Sequence, residues 1–139
     1  MTYPYRPQRR GAEIRYLPLI PLELHNAQRH LRVRALLDSG AEHTIFSKQI
    51  AQELGIACRD DRLVMLQGLG GVVPGYLATV ELRLGTAHWT TNAIFSDAVA
   101  ANSGLLGQLG FFQFFTVTFR YGRGEIDIRR FRRALIGKN

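Results

Sequence analysis

The sequence predicts an all-β domain with two short helices, an expectation resting on three observations. Leu31-Arg32-Val33-Arg34-Ala35 and Val80-Glu81-Leu82-Arg83-Leu84 alternate apolar and charged residues with a period of two, as a strand does when one face is buried and the other wet. Glycines gather at residues 67–75 and at Gly122-Arg123-Gly124, between such runs, where hairpins must turn. At 139 residues, 46% hydrophobic and 21% charged, the chain has globular composition and enough length for one core but not two.

In chain order, residues 1–13 are rich in Pro, Arg and Tyr without periodicity and read as a flexible arm with little structure of its own. Residues 15–24, with Leu17, Leu19, Ile20, Leu22 and Leu24, form an expected first strand, which Pro18 and Pro21 place near an edge. Asn26-Ala27-Gln28 turns the chain into a strand over residues 31–37, which runs straight into Asp38. Ser47 is placed to cap a short helix whose buried face is Ile50, Ala51 and Leu54 and which Gly55 stops. Residues 63–66 and 76–84 read as strands on either side of the glycine-rich tip. Gly85-Thr86-Ala87 then leads to a strand over 89–95, followed by a loop of small residues over 96–103. Leu105 and Leu106 enter the core. Phe111, Phe112, Phe114 and Phe115 crowd into a second short helix that should anchor a core layer. Residues 116–121 and 125–129 read as a closing hairpin. The domain thus spans residues 14–129, and 130–139 form a basic tail.

No apolar run approaches the ~20 residues of a membrane span, and the first residues lead into no signal-peptide hydrophobic region, so a cytoplasmic location is expected. Cys58 is the single cysteine, which excludes an intrachain disulfide. His25, His30, His43 and His88 are scattered, so neither a metal nor another cofactor is expected. A net charge of +7 and a pI near 10.3 invite a nucleic-acid reading. The arginines, however, are spread along strands, and the dense cluster Arg129-Arg130-Phe131-Arg132-Arg133 reads as a solvated or partner-binding tail, so no specific nucleic acid is expected.

The candidate catalytic residue is Asp38. A strand held by its neighbours, ending in a tight Ser-Gly turn, can aim one carboxyl group rigidly, which acid/base chemistry requires. Leu36-Leu37-Asp38-Ser39-Gly40-Ala41, followed by a hydroxyl residue at Thr44, resembles the active-site segment of retropepsin-like aspartic proteases. Leu105-Leu106-Gly107 matches the later apolar-apolar-Gly motif of that family. Gln67-Gly68-Leu69-Gly70-Gly71-Val72-Val73-Pro74-Gly75 stands where such enzymes place a mobile hairpin, the flap. The resemblance covers roughly residues 17–128 and implies a closed, barrel-like single lobe. It points to the cellular and bacterial branch, because the chain continues past Phe115 into a hairpin where retroviral enzymes are shorter.

The resemblance further implies that Asp38 is catalytic, that Ser39 and Gly40 brace it, that Ala41 lines the cleft, and that Thr44, Leu106 and Gly107 support the turn from below. Glu42 would contact substrate backbone, and Leu69, Gly70 and Val72 would sit near the flap tip. Hydrolysis without a metal or covalent intermediate needs one group to take a proton from water while another gives one to the carbonyl, and two carboxyls sharing a proton can do both. The chain holds one Asp-Ser-Gly. The expected function is therefore that of an aspartic endopeptidase acting on peptides as a homodimer, with the dyad formed by Asp38 and its twofold mate. One departure stands out: retroviral relatives usually carry an arginine after the apolar-apolar-Gly motif, where it helps knit the dimer, whereas this chain has Gln108. Two rival readings remain at this stage. The same fold could hold an extended peptide without cleaving it. Alternatively, Gly104-Leu105-Leu106-Gly107 could serve as a Gly-x-x-Gly clamp on a nucleic-acid backbone, although its apolar centre offers phosphates neither donor nor charge.

Overall fold

Strands dominate the computed structural model, which describes residues 1–131. The first residues depart from expectation: instead of an unstructured arm they form β1 (Thr2–Pro4) and β2 (Arg6–Arg10). β2 pairs with β3 (Glu13–Leu17) in an exposed hairpin turned at Gly11, whose φ of 62° suits glycine. β1 pairs with the far end of the described chain, Thr2 opposite Asp127, and no local periodicity can announce a partner so distant. β4 (Leu19–Asn26) and β5 (Arg29–Leu37) form a second hairpin across Ala27 and Gln28. The single strand expected over residues 15–24 is thus two, broken at Pro18, which lacks an N–H to donate. Its carbonyl accepts the Leu37 N–H at 3.0 Å.

β6 (Ile45–Ser47) leads into helix α1 (Lys48–Leu54), which buries Ile50, Ala51 and Leu54 and ends at Gly55 in the left-handed region. Ser47 occupies the N-cap position but makes no side-chain cap bond, and its buried hydroxyl finds no partner among the described residues. β7 (Leu63–Gly68) and β8 (Gly71–Leu84) make a long hairpin turned at Leu69-Gly70, so the strands run closer to the tip than residues 66 and 76. β9 (Ala87–Ser96), β10 (Ser103–Leu106), β11 (Phe115–Arg120) and β12 (Glu125–Arg130) complete the described chain. Arg129 and Arg130 therefore belong to a strand rather than to a tail, while Arg132, Arg133 and the rest of the expected tail lie outside the described residues.

A seven-stranded sheet runs in the order β4-β5-β10-β6-β9-β8-β7, and β4 also pairs with β8 through Glu23–Arg83, Leu24–Leu82 and His25–Glu81. The ring closes at that seam, leaving β7 outside it as the outer arm of the hairpin. β4 is accordingly not an edge strand; Pro18 and Pro21 precede the stretch that makes the seam. Alternate residues point inward: Ile20, Leu22 and Leu24 from β4, Val33, Ala35 and Leu37 from β5, Val80, Leu82 and Leu84 from β8. Each large side chain so buried contributes about 1.5–3 kcal/mol. Residues 111–114 form a turn instead of the second helix, because Gly110, at φ 99°, breaks the backbone just before them and four phenylalanines in five positions cannot share one helical stripe. Phe111 and Phe115 stack at 4.7 Å beside Trp89 and do anchor the core. A separate three-stranded sheet has the order β1-β12-β11. No helix among the described residues is long and apolar enough to cross a membrane.

Candidate active site

Asp38 stands where β5 leaves the barrel. β5 and β10 run parallel, with Leu36 opposite Leu105 and Leu37 opposite Leu106, so the two sequence motifs lie side by side. Asp38 is tied at both ends of its peptide unit. Its N–H donates to the Leu106 carbonyl at 3.0 Å, and its own carbonyl accepts the Ala41 N–H at 3.1 Å. The Gly40 N–H donates to the Asp38 Oδ1 at 2.9 Å, so the turn itself holds the half-exposed carboxylate in position. A Cβ on Gly40 would lie 3.2 Å from that oxygen.

The loop after Asp38 interlocks with the loop after Leu106. Gln108 N–H donates to the Ala41 carbonyl and Leu109 N–H to the Glu42 carbonyl, each at 2.8 Å. Thr44 is buried between the two. Its hydroxyl donates to the Leu109 carbonyl at 2.8 Å and accepts the Gly107 N–H at 3.2 Å. Gly107 lies so close to this loop that a Cβ would sit 2.3 Å from the His43 carbonyl oxygen. The Gln108 side chain donates to the Ser39 carbonyl, pinning the turn at its tip. In sequence Gln108 shows only as a missing charge; the detectable signal is an amide next to an apolar-apolar-Gly motif, able to reach a turn carbonyl without a counterion.

A groove of roughly 690 Å3 opens beside this turn, a size typical of ligand sites. Gly40, Ala41, Glu42 and His43 form one wall, Ile45 and Leu105 are apolar lining residues, and Val64, Leu66, Gly70 and Val73 of the β7–β8 hairpin form the other wall. The predicted residues divide accordingly. Ala41, Glu42 and Gly70 line the groove. Leu69 and Val72 do not: they project into solvent at the hairpin tip, with Leu69 fully exposed. Leu106 is buried beneath the turn, and Ser39 contributes its carbonyl. Neither Asp38 nor Ser39 is among the lining residues, which begin two positions on at Gly40. His43, half-buried, places its Nε2 3.7 Å from Glu42 Oε2.

This geometry has known counterparts. The chain is similar to an EIAV protease solved in complex with the inhibitor HBY-793, at 18% identity and a TM-score of 0.54, covering 73% of this chain and 88% of that one. It is also similar to a retropepsin-like aspartic protease from Rickettsia conorii, at 14% identity and a TM-score of 0.59, covering 93% and 98%. A search of curated proteins found no match. The fold is thus retropepsin-like. A family model described as aspartyl protease matches residues 20–109, a span that holds Asp38-Ser39-Gly40, the β7–β8 hairpin and Leu105-Leu106-Gly107 together. On that match, the chain belongs to the aspartyl protease family.

Proposed function

We propose that the protein is an aspartic endopeptidase whose catalytic dyad is Asp38 from each of two copies. The observation that carries the reading is the fixing of the single Asp-Ser-Gly carboxylate, held by the Gly40 N–H at the end of a paired strand, next to but outside a groove. One chain offers one such carboxyl, and a lone carboxylate cannot be both the acid and the base of peptide hydrolysis. Two brought within a few ångströms share a proton, since both cannot ionise easily; paired aspartates of aspartic proteases are the standard example of this coupling. One carboxylate then takes a proton from water as the water attacks the peptide carbonyl, and the other, protonated, donates to that carbonyl oxygen.

The β7–β8 hairpin acts as the flap. Its exposed tip, Leu69-Gly70, reaches over a substrate lying in the groove, and Ile45, Val64, Leu66 and Leu105 receive apolar side chains. Glu42 lines the same groove within reach of the peptide backbone. Asp38→Asn tests the assignment: the variant should keep the wild-type circular dichroism and melting temperature while losing cleavage of an unstructured peptide by at least about 10³-fold. Equal cleavage by wild type and variant would remove Asp38 from the chemistry. A wild type inert towards broad peptide libraries from acid to neutral pH would favour a peptide-binding module on the same fold.

A further inference from the structure

The β2–β3 hairpin carries side chains that neither the core nor the candidate active site uses. It forms a two-stranded sheet of its own, and residues 7–16 are exposed throughout. A ribbon wet on both faces gains little from burial. Residues opposite each other share a face, so Pro7, Tyr16, Arg9 and Ile14 lie on one side, with Gln8, Arg15, Arg10 and Glu13 on the other. Tyr16 and Ile14, each about half exposed, make with Pro7 an apolar strip in water. Arg6, Arg9, Arg10 and Arg15 surround it, against the lone carboxylate of Glu13. Among the described residues no carboxylate pairs with any of these four, whereas Arg32, Arg59, Arg83, Arg120 and Arg129 each hold one.

Unpaired guanidiniums beside a bare aromatic ring suit a polyanion that also offers flat apolar faces. Single-stranded nucleic acid is such a ligand: a guanidinium grips phosphate oxygens two at a time, and an exposed ring stacks an unpaired base of any identity. We infer that the β2–β3 hairpin binds single-stranded nucleic acid, with bases on the face of Pro7, Tyr16 and Ile14 and phosphates on Arg9, Arg10 and Arg15. Neither contact carries sequence information, so the binding is indifferent to sequence. An anionic membrane fits less well. Both long edges of the ribbon are unpaired among the described residues, and their N–H groups would be orphaned in lipid, whereas phosphate oxygens accept them. Arg9 also interrupts the apolar strip, and Glu13 at the tip would be repelled by an anionic surface. A duplex hides its base faces in the stack and leaves Tyr16 without a role, and an acidic peptide offers that ring no flat partner.

The test is fluorescence anisotropy of the full-length chain with a labelled oligothymidylate of about 16 nucleotides, in salt from about 50 to 200 mM. Three arginines on phosphates should make log Kd rise with log salt at a slope of about 2. Arg9→Gln, Arg10→Gln and Arg15→Gln combined should remove most of that slope and weaken binding about tenfold or more. Tyr16→Ala should weaken binding about tenfold at an unchanged slope, and Tyr16→Phe should restore it, because the ring and not the hydroxyl stacks. A duplex of the same length should bind about fivefold more weakly than the single strand, or worse. Circular dichroism should match wild type in each variant, since the substituted positions are exposed. An affinity and slope unchanged in the triple variant would put the binding on the arginines of residues 129–133 or elsewhere and overturn the inference. Wild-type affinity in Tyr16→Ala, a duplex bound as tightly, or a chain that oligothymidylate fails to displace from phosphatidylserine vesicles would overturn it as well. Peptide cleavage is followed in parallel. A chain that binds the strand but cuts no peptide keeps this inference and loses the proposed activity, and a chain that cuts peptides but binds no strand does the reverse.

Discussion

Gly107 shows how tightly the site is built at the scale of one residue. A methyl group there would lie 2.3 Å from the His43 carbonyl oxygen and 2.7 Å from that of Ala41, and both obstacles are backbone held in the interlocked loops. Gly107→Ala should therefore destabilise the fold by about 2–4 kcal/mol, seen as a lower melting temperature; an unchanged melt would mean the two loops can separate at little cost. Asp38 and Gly107 were legible in the sequence because each sits in a short motif whose residue types have few other uses together. The hydroxyl of Thr44, bonded to both Leu109 and Gly107, was expected to support the turn, yet its partners could not be read, since they lie more than sixty residues along the chain. Gln108 was legible only as a departure, and its hold on Ser39 needed coordinates.

Among the elements, strands with one wet face were the most legible, because alternation in β5 and β8 is a direct imprint of burial on sequence. Elements defined by a distant partner or by a special backbone angle were not: β1 depends on β12, and the turn over residues 111–114 depends on Gly110. Two predictions belong here. The hairpin tip makes few contacts, so Leu69→Ser should leave stability within about 0.5 kcal/mol while raising KM for peptides, if the tip closes on substrate; an unchanged KM would detach the hairpin from binding. The barrel seam supplies the second. The Arg83 guanidinium bonded to Glu81 lowers that carboxyl below the ordinary 4.5, and His25, then Arg32, do the same to Glu23. A carboxyl with a depressed folded value contributes stability above the unfolded value and loses it as pH falls through the folded one. Glu81→Gln should thus melt below wild type at neutral pH, with the gap narrowing as pH drops beneath 4.5. A gap constant down to strongly acid pH would show that the Glu81–Arg83 pair within β8 carries none of it. Both carboxyls are about a third exposed and their arginine partners more so, so the effect is small.

Across the whole molecule, the second copy that the proposed function calls for would have to associate against a net charge of +7 on each chain, so salt should favour it. The pairing of β1 with β12 adds an order in time. Met1 and Ile128, which exchange hydrogen bonds, are 127 residues apart. A ribosome adding about 5–20 residues per second keeps the first strand waiting roughly 6–25 s for its partner. The β4–β5 hairpin can close early in that interval, but β1, made first, is among the last to be placed, because β12 is the last of the described strands to be made. The sheet β1-β12-β11, which ties the two ends of the described chain together, can therefore close only once that chain is nearly complete.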